Sequence, residues 1–243
     1  MNENTLVAVS AYAGDVEQVK NNMPLYVHHK CPIVILSPDD AAIERMRGCI
    51  CMTAGKKCWA GKLAIDRQIK FLELLAHFPY EHFLFHDADS ICLSPELPKY
   101  LYDQPDMLWA NEVPDTNPGP SKLPKVALQP PYFFSKKVLL GLVATKDNLP
   151  TSFYGPDITP EGWPMPFPTN CPDHLMLQLA CGSGFPYFNF HTGASFETAS
   201  QFGLDTMAGL VREHGRVLVH SVKKKEALDR LVSEHYIYRK FHP

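Results

Sequence analysis

Phe83-Leu84-Phe85-His86-Asp87-Ala88-Asp89-Ser90-Ile91-Cys92-Leu93 decides the fold class of this chain. An apolar run that ends in two carboxylates one residue apart reads as a buried strand delivering acidic groups to its carboxyl end. Alternate side chains of a strand point to the same face, so Asp87 and Asp89 are expected to converge where the strand stops. Two like charges held that close are unfavourable unless a cation or a proton neutralises them, and a divalent metal with oxygen ligands does so. The competing reading is structural, because a carboxylate after a strand also serves as a turn residue or a helix cap.

Upstream of this stretch, Leu6-Val7-Ala8-Val9-Ser10 is a short apolar run closed by small residues and Gly14-Asp15, with a helix expected over 16–22. Pro32-Ile33-Val34-Ile35-Leu36-Ser37 is a second such run, followed by a helix expected over 41–47. Across 59–78, Leu63, Ile65, Ile69, Leu72, Leu74, Leu75 and Phe78 recur at helical spacing without a proline, and Lys62, Arg67 and Lys70 lie among them. The alternation predicts an α/β fold, a mostly parallel central sheet flanked by helices, with the aspartates at the edge where such sheets bind ligands.

Downstream the pattern breaks. Residues 105–172 hold 14 of the 22 prolines, which predicts long irregular loops with only 132–143 as a strand or short helix. A helical pattern resumes over 175–181 and stops at Gly182-Ser183-Gly184. Late strands are expected over 185–190 and at Val217-Leu218-Val219-His220, with a terminal helix over 223–238.

At 243 residues, 45% hydrophobic and 20% charged, the chain is expected to form one domain over 1–243, with a first half to residue 104 and a second from 105. It has no apolar run long enough to span a bilayer, and Met1-Asn2-Glu3-Asn4-Thr5 lacks a secretory pattern, so a cytoplasmic protein is expected. Seven scattered cysteines do not form a disulfide scaffold, and the spacing of Cys49, Cys51 and Cys58 matches no common zinc pattern. The net charge of −3 argues against a protein coating nucleic acid, although 212–243 carry eight Lys or Arg against four Asp or Glu.

Taken with these motifs, the chain resembles the GT-A glycosyltransferases, whose hallmark is an Asp-x-Asp motif after a hydrophobic strand, here Asp87-Ala88-Asp89. Residues 7–13 with Asp15 look like that family's first strand and loop, which implies nucleotide contacts from Ala8, Ser10, Tyr12 and Asp15. Residues 62–67 resemble the helix whose basic residues, here Lys62 and Arg67, face the nucleotide. Val217-Leu218-Val219-His220-Ser221-Val222-Lys223 looks like the late strand whose histidine joins the metal ligands and whose lysine meets the diphosphate.

The resemblance implies a sugar nucleotide, a UDP-sugar first among them, bound with Mn2+ or Mg2+ on Asp87, Asp89 and His220. His191 and His214 are alternative imidazoles for the same role. A departing diphosphate needs positive charge, which the metal and Lys223 would supply. Asp173, in Cys171-Pro172-Asp173-His174-Leu175, is the implied base for the acceptor hydroxyl, although an acidic residue there also suits a helix start. The implied acceptor is a glycan or a hydroxylated nucleic-acid base, faced by the loops at 109–112 and 154–170, and Trp59, Trp109 and Trp163 either stack on a ring or pack inside. Two other classes stay open: a Mg2+-dependent phosphatase of the haloacid dehalogenase type, and a non-catalytic nucleotide-sugar-binding protein.

Overall fold

The computed structural model describes residues 4–28, 30–92, 99–114, 126–158, 169–189, 193–195 and 218–220, a few of them by their backbone alone. The chain opens with β1 (Thr5–Ser10), α1 (Val16–His28), β2 (Ile33–Ser37) and β3 (Ile50–Thr53). It continues with α2 (Lys62–Ala76), β4 (His82–Asp87), β5 (Ile91–Cys92) and α3 (Lys99–Asp103). The remaining elements are β6 (Leu108–Pro114), β7 (Val126–Ser135), α4 (Lys136–Ala144), α5 (Pro172–Ser183), β8 (Tyr187–Asn189), β9 (Gly193–Ser195) and β10 (Leu218–His220).

Seven strands form one sheet in the order β3-β2-β1-β4-β7-β6-β8. Strand β7 alone runs against its neighbours; the other pairings are parallel. A small second sheet has the order β5-β10-β9.

Both faces of the sheet's central strands are buried, as a mostly parallel sheet requires. On β1, Leu6 and Ala8 belong to one core and Val7 and Val9 to the other; on β4, Phe83 and Phe85 oppose Leu84 in the same way. The Leu6 and Phe83 face is packed by α2, α4 and α5 through Phe71, Leu72, Leu75, Leu139, Leu142 and Leu175. The opposite face is packed by Val19 and Tyr26 of α1 and Leu101 of α3.

Two expectations are corrected here. The helix expected over 41–47 is a single 3-10 turn, Asp39–Ala41, after which Ala42 is extended. Its cause is local competition for hydrogen bonds: the Ile43 N–H is taken by Ser37 Oγ at 3.3 Å, and Asp40 Oδ1 accepts from the Lys57 N–H at 2.7 Å. The segment then runs into β3, a strand that no pattern in the sequence announces.

The irregular loops expected over 105–172 contain two long strands, β6 and β7. Pro130 and Pro131 fit inside β7 because its ladder to β4 begins only at Tyr132, and the register with β6 shifts between Trp109 and Asn111. Asn111 Nδ2 bonds the Pro130 carbonyl at 2.8 Å, replacing a ladder bond. The stretch 132–143 is both strand and helix, divided at Ser135, whose hydroxyl caps α4 by accepting from the Val138 N–H at 3.3 Å. The expected helix over 223–238 lies outside the described residues.

Candidate active site

At the carboxyl ends of β1 and β4 the sheet opens on a cleft of about 520 Å³. Strand parity explains its contents. Ser10 continues the side of Leu6 and Ala8, and Asp87 that of Phe83 and Phe85, so both face the layer built by α2 and α5.

Asp87 is the last residue of β4, in register with Ser10, and Asp89 lies beyond the strand. The Ala88 N–H bonds Ser10 O at 2.9 Å, and the Ser90 N–H bonds Asp87 O at 3.0 Å, closing a turn with Asp89 at its third position. The two carboxylates are thus neighbours through a turn rather than through strand alternation, and one Asp89 oxygen is fully buried. His86 turns its ring to the other side, where Nε2 meets Tyr26 Oη at 2.6 Å.

The first wall is the loop after β1. Tyr12 and Asp15 hold each other, the Tyr12 N–H donating to Asp15 Oδ2 and the Asp15 N–H to Tyr12 O, both at 2.8 Å. Over the Tyr12 ring stand Lys57 Nζ, 5.0 Å from the centroid, and the Arg67 guanidinium at 5.8 Å. Burial pushes the Tyr12 phenol up, Arg67 pulls it back, and Asp87 and Asp15 add to the rise.

The second wall comes from α2. Arg67 is 4% exposed, and its Nη1 donates to the carbonyls of Lys56 and Cys58, each at 3.0 Å. Its Nε is buried without a hydrogen-bond partner among the described residues, and no carboxylate among them forms an ion pair with it.

The third wall joins β7 to the start of α5. Tyr132 is fully buried; its hydroxyl donates to Leu128 O at 2.6 Å and stands 3.4 Å from Asp173 Oδ1. Burial holds this phenol well above its ordinary range, with Asp173 and Asp87 adding to the rise. Asp173 lies in the first turn of α5, where Pro172 is preset for a helix start and the Cys171 N–H bonds His174 Nδ1 at 3.1 Å.

Eight expected residues therefore line one cleft: Ser10, Tyr12, Asp15, Arg67, Asp87, Ala88, Asp89 and Asp173. Ala8 does not; its side chain is wholly inside the core. Lys62 does not either, because its ammonium pairs with Asp66 and lies over the Tyr154 ring, 5.1 Å from the centroid. His220 is described only in its backbone. Leu218 and Val219 pair with Cys92 and Ile91, so one further step of this antiparallel register brings His220 opposite Ser90. Lys223, His191, His214 and Trp163 lie outside the described residues.

The expected acceptor loop at 109–112 is strand β6, and Trp109 is buried beside the Phe188 ring, 5.8 Å between centroids. Among the described residues no three or more His, Cys, Asp or Glu side chains are grouped to hold a metal. Among the residues that sequence reasoning missed are Gln18, Gln68, Gln129 and Tyr132, which line the cleft with no local motif to announce them.

No protein-family model and no curated protein matches this chain. Its fold does match solved structures. It is similar to the WbbM bifunctional glycosyltransferase in its apo form, at TM-score 0.54 and 7% identity, covering 100% of this chain and 52% of that one. The inositol-1-phosphate CTP transferase from T. maritima aligns at TM-score 0.47 and 10% identity, covering 97% of this chain and 98% of that one. The 2-C-methyl-D-erythritol 4-phosphate cytidylyltransferase from Thermus thermophilus aligns at 0.38 and 15%, covering 75% and 86%. The fold is GT-A-like, and the chain spans about half, 52%, of the length of WbbM. Among the described residues no helix is long and apolar enough to cross a membrane.

Proposed function

We propose that this protein is a metal-dependent glycosyltransferase that moves a sugar from a nucleotide-sugar donor, a UDP-sugar being the first to test, to an acceptor hydroxyl. The observation that supports this best is that one cleft joins the Asp87 and Asp89 carboxylates to a buried guanidinium, Arg67, with no carboxylate partner among the described residues.

Each side chain has a role that follows from its chemistry. A buried cation without a counter-charge is costly, and a diphosphate would relieve that cost while accepting hydrogen bonds from Arg67. Asp87 and Asp89 offer oxygen donors that suit Mg2+ or Mn2+, whose remaining positions are commonly filled by substrate phosphates and water. When bound there, the metal would supply positive charge to the departing diphosphate. His220 is the proposed further ligand and Lys223 the proposed diphosphate contact. Tyr12, its loop held by Asp15, would carry the nucleoside. Asp173 would take the proton of the acceptor hydroxyl, with Tyr132 holding the carboxylate in place. The acceptor hydroxyl belongs to a glycan or to a hydroxylated base.

The test is a melting-temperature screen of nucleoside diphosphates and sugar nucleotides, with and without Mn2+, on the wild type and on Asp89→Ala. A rise that needs both one nucleotide and the metal, and is lost in Asp89→Ala, is expected. A rise with Mg2+ and phosphate analogues, but with no nucleotide, would replace this reading by phosphatase chemistry.

A further inference from the structure

We infer that Gln68 binds hydroxyl groups of the transferred sugar and thereby selects the donor, a role that rests on the transferase reading. Gln68 interrupts the buried stripe of α2, in which Ala64, Ile65, Phe71, Leu72 and Leu75 recur at helical spacing. It is 6% exposed, yet it lines the cleft. Its amide makes no hydrogen bond among the described residues, and neither of its polar atoms is sealed off from the cleft. A neutral amide held in a buried stripe without a protein partner destabilises the fold, because it gives up much of its hydration and gains no bond in return. A ligand that supplies the missing bonds reverses that loss.

The chemistry of the amide narrows the ligand. Its NH2 group donates and its oxygen accepts, so its full complement needs a group that can both accept and donate. An ionised diphosphate presents acceptors alone and would leave the amide oxygen unserved; sugar hydroxyls do both. Position narrows the ligand further. Helices α2 and α5 cover the same face of the sheet, the face to which Asp87 points, and Asp173 stands in the first turn of α5. The transferred sugar has to lie between the diphosphate, met by Arg67 and the metal on Asp87, and the acceptor hydroxyl at Asp173. Gln68 sits one residue beyond Arg67, in the stripe by which α2 joins that layer, and shares the cleft with all three. The nucleoside is served elsewhere, by Tyr12 in the loop after β1.

The experiment compares wild type, Gln68→Leu and Gln68→Met by calorimetric titration with Mn2+. The probes are UDP and GDP, beside UDP-glucose, UDP-galactose, UDP-N-acetylglucosamine and GDP-mannose. We expect the bare nucleoside diphosphate to bind all three proteins within about twofold, and its preferred sugar conjugate to bind both variants roughly tenfold more weakly. The preference of the wild type for one sugar over another should flatten in the variants, an effect that a purely structural side chain would not produce. Melting temperatures of the ligand-free variants should equal or exceed that of the wild type, because an apolar side chain replaces a partnerless amide. A clear fall in both would show that the amide supports the fold and would overturn the role. Sugar conjugates that bind the variants as they bind wild type overturn it too, and leave the transferase reading standing. Weakening of the bare diphosphate as large as that of its conjugate assigns Gln68 to the nucleotide and overturns its part in sugar selection. If neither diphosphates nor conjugates bind wild type, the transferase reading and the role of Gln68 fall together.

Discussion

Tyr132 Oη lies 2.6 Å from the Leu128 carbonyl and 3.4 Å from Asp173 Oδ1, so the single hydroxyl hydrogen of a fully buried phenol is the link between β7 and the carboxylate at the start of α5. Removing that hydroxyl takes from the Leu128 carbonyl its 2.6 Å donor and from Asp173 the longer 3.4 Å contact that shares the same hydrogen. Tyr132→Phe should lower stability by about 1–3 kcal/mol, the cost of a buried unpaired acceptor. In turnover assays its acidic pH limb should move to higher pH, because the ionised form of Asp173 has lost a hydrogen-bond donor. A profile unchanged in position would mean that Tyr132 supports only the fold.

The same phenol predicts behaviour in alkali. Its folded pKa is raised above the ordinary 10 by burial first and by Asp173 and Asp87 next. A raised pKa means the stabilising contribution is complete below pH 10 and is lost as pH climbs beyond it. Thermal melts between pH 8 and 11 should therefore show the wild type losing stability faster than Tyr132→Phe above pH 10.

Asp89→Ala should keep the fold and lose the metal response. Its carboxylate sits in a turn closed by backbone bonds, so the turn survives the substitution. Removing one of two adjacent like charges also relieves repulsion in the metal-free protein. The expected result is an unchanged or slightly raised melting temperature without metal, and no further rise with Mn2+ and nucleotide. Retained metal-dependent turnover would remove the role given to this residue.

Gly61 occupies φ +87°, and a Cβ there would lie 2.4 Å from Pro156 O and 2.6 Å from Asp157 Cα. Both neighbours are backbone, so relief requires moving the chain. Gly61→Ala should cost about 1–3 kcal/mol from backbone strain alone, with the clash added. It should also weaken nucleotide binding, since Gly61 N–H holds Asn170 O and with it the approach to Asp173. Melting and titration of the variant test both parts.

His82 makes a prediction at the other end of β4. Burial lowers its pKa below the ordinary 6.5, with Glu81 opposing, while its ring stacks on Phe133 at 5.6 Å between centroids. The unfolded chain therefore binds the proton more readily, and stability falls as pH drops below 6.5. His82→Phe should flatten the decline in denaturant midpoint between pH 7.5 and 5.

Hydrophobic periodicity alone marks out the centre of this molecule. Leu6 to Val9, Ile33 to Leu36 and Phe83 to Phe85 are apolar on both faces, which only a doubly covered sheet accommodates, and α2 shows its buried stripe at helical spacing. The Asp87-x-Asp89 pair announces the cleft for the same reason: its residues are close in sequence, so local geometry brings both to its lining. What the tertiary structure decided was everything built from distant partners. The reversed strand β7 takes its prolines only because β4 and β6 leave those positions unpaired. Ile43 forgoes a helix because Ser37 is there to accept its N–H. Tyr132 meets Asp173, Trp59 bonds Ile158 and Gly61 bonds Asn170 through contacts spanning 41 and about 100 residues. A chain's local pattern encodes which face of each element is apolar; it does not encode which distant element will supply the missing hydrogen bond.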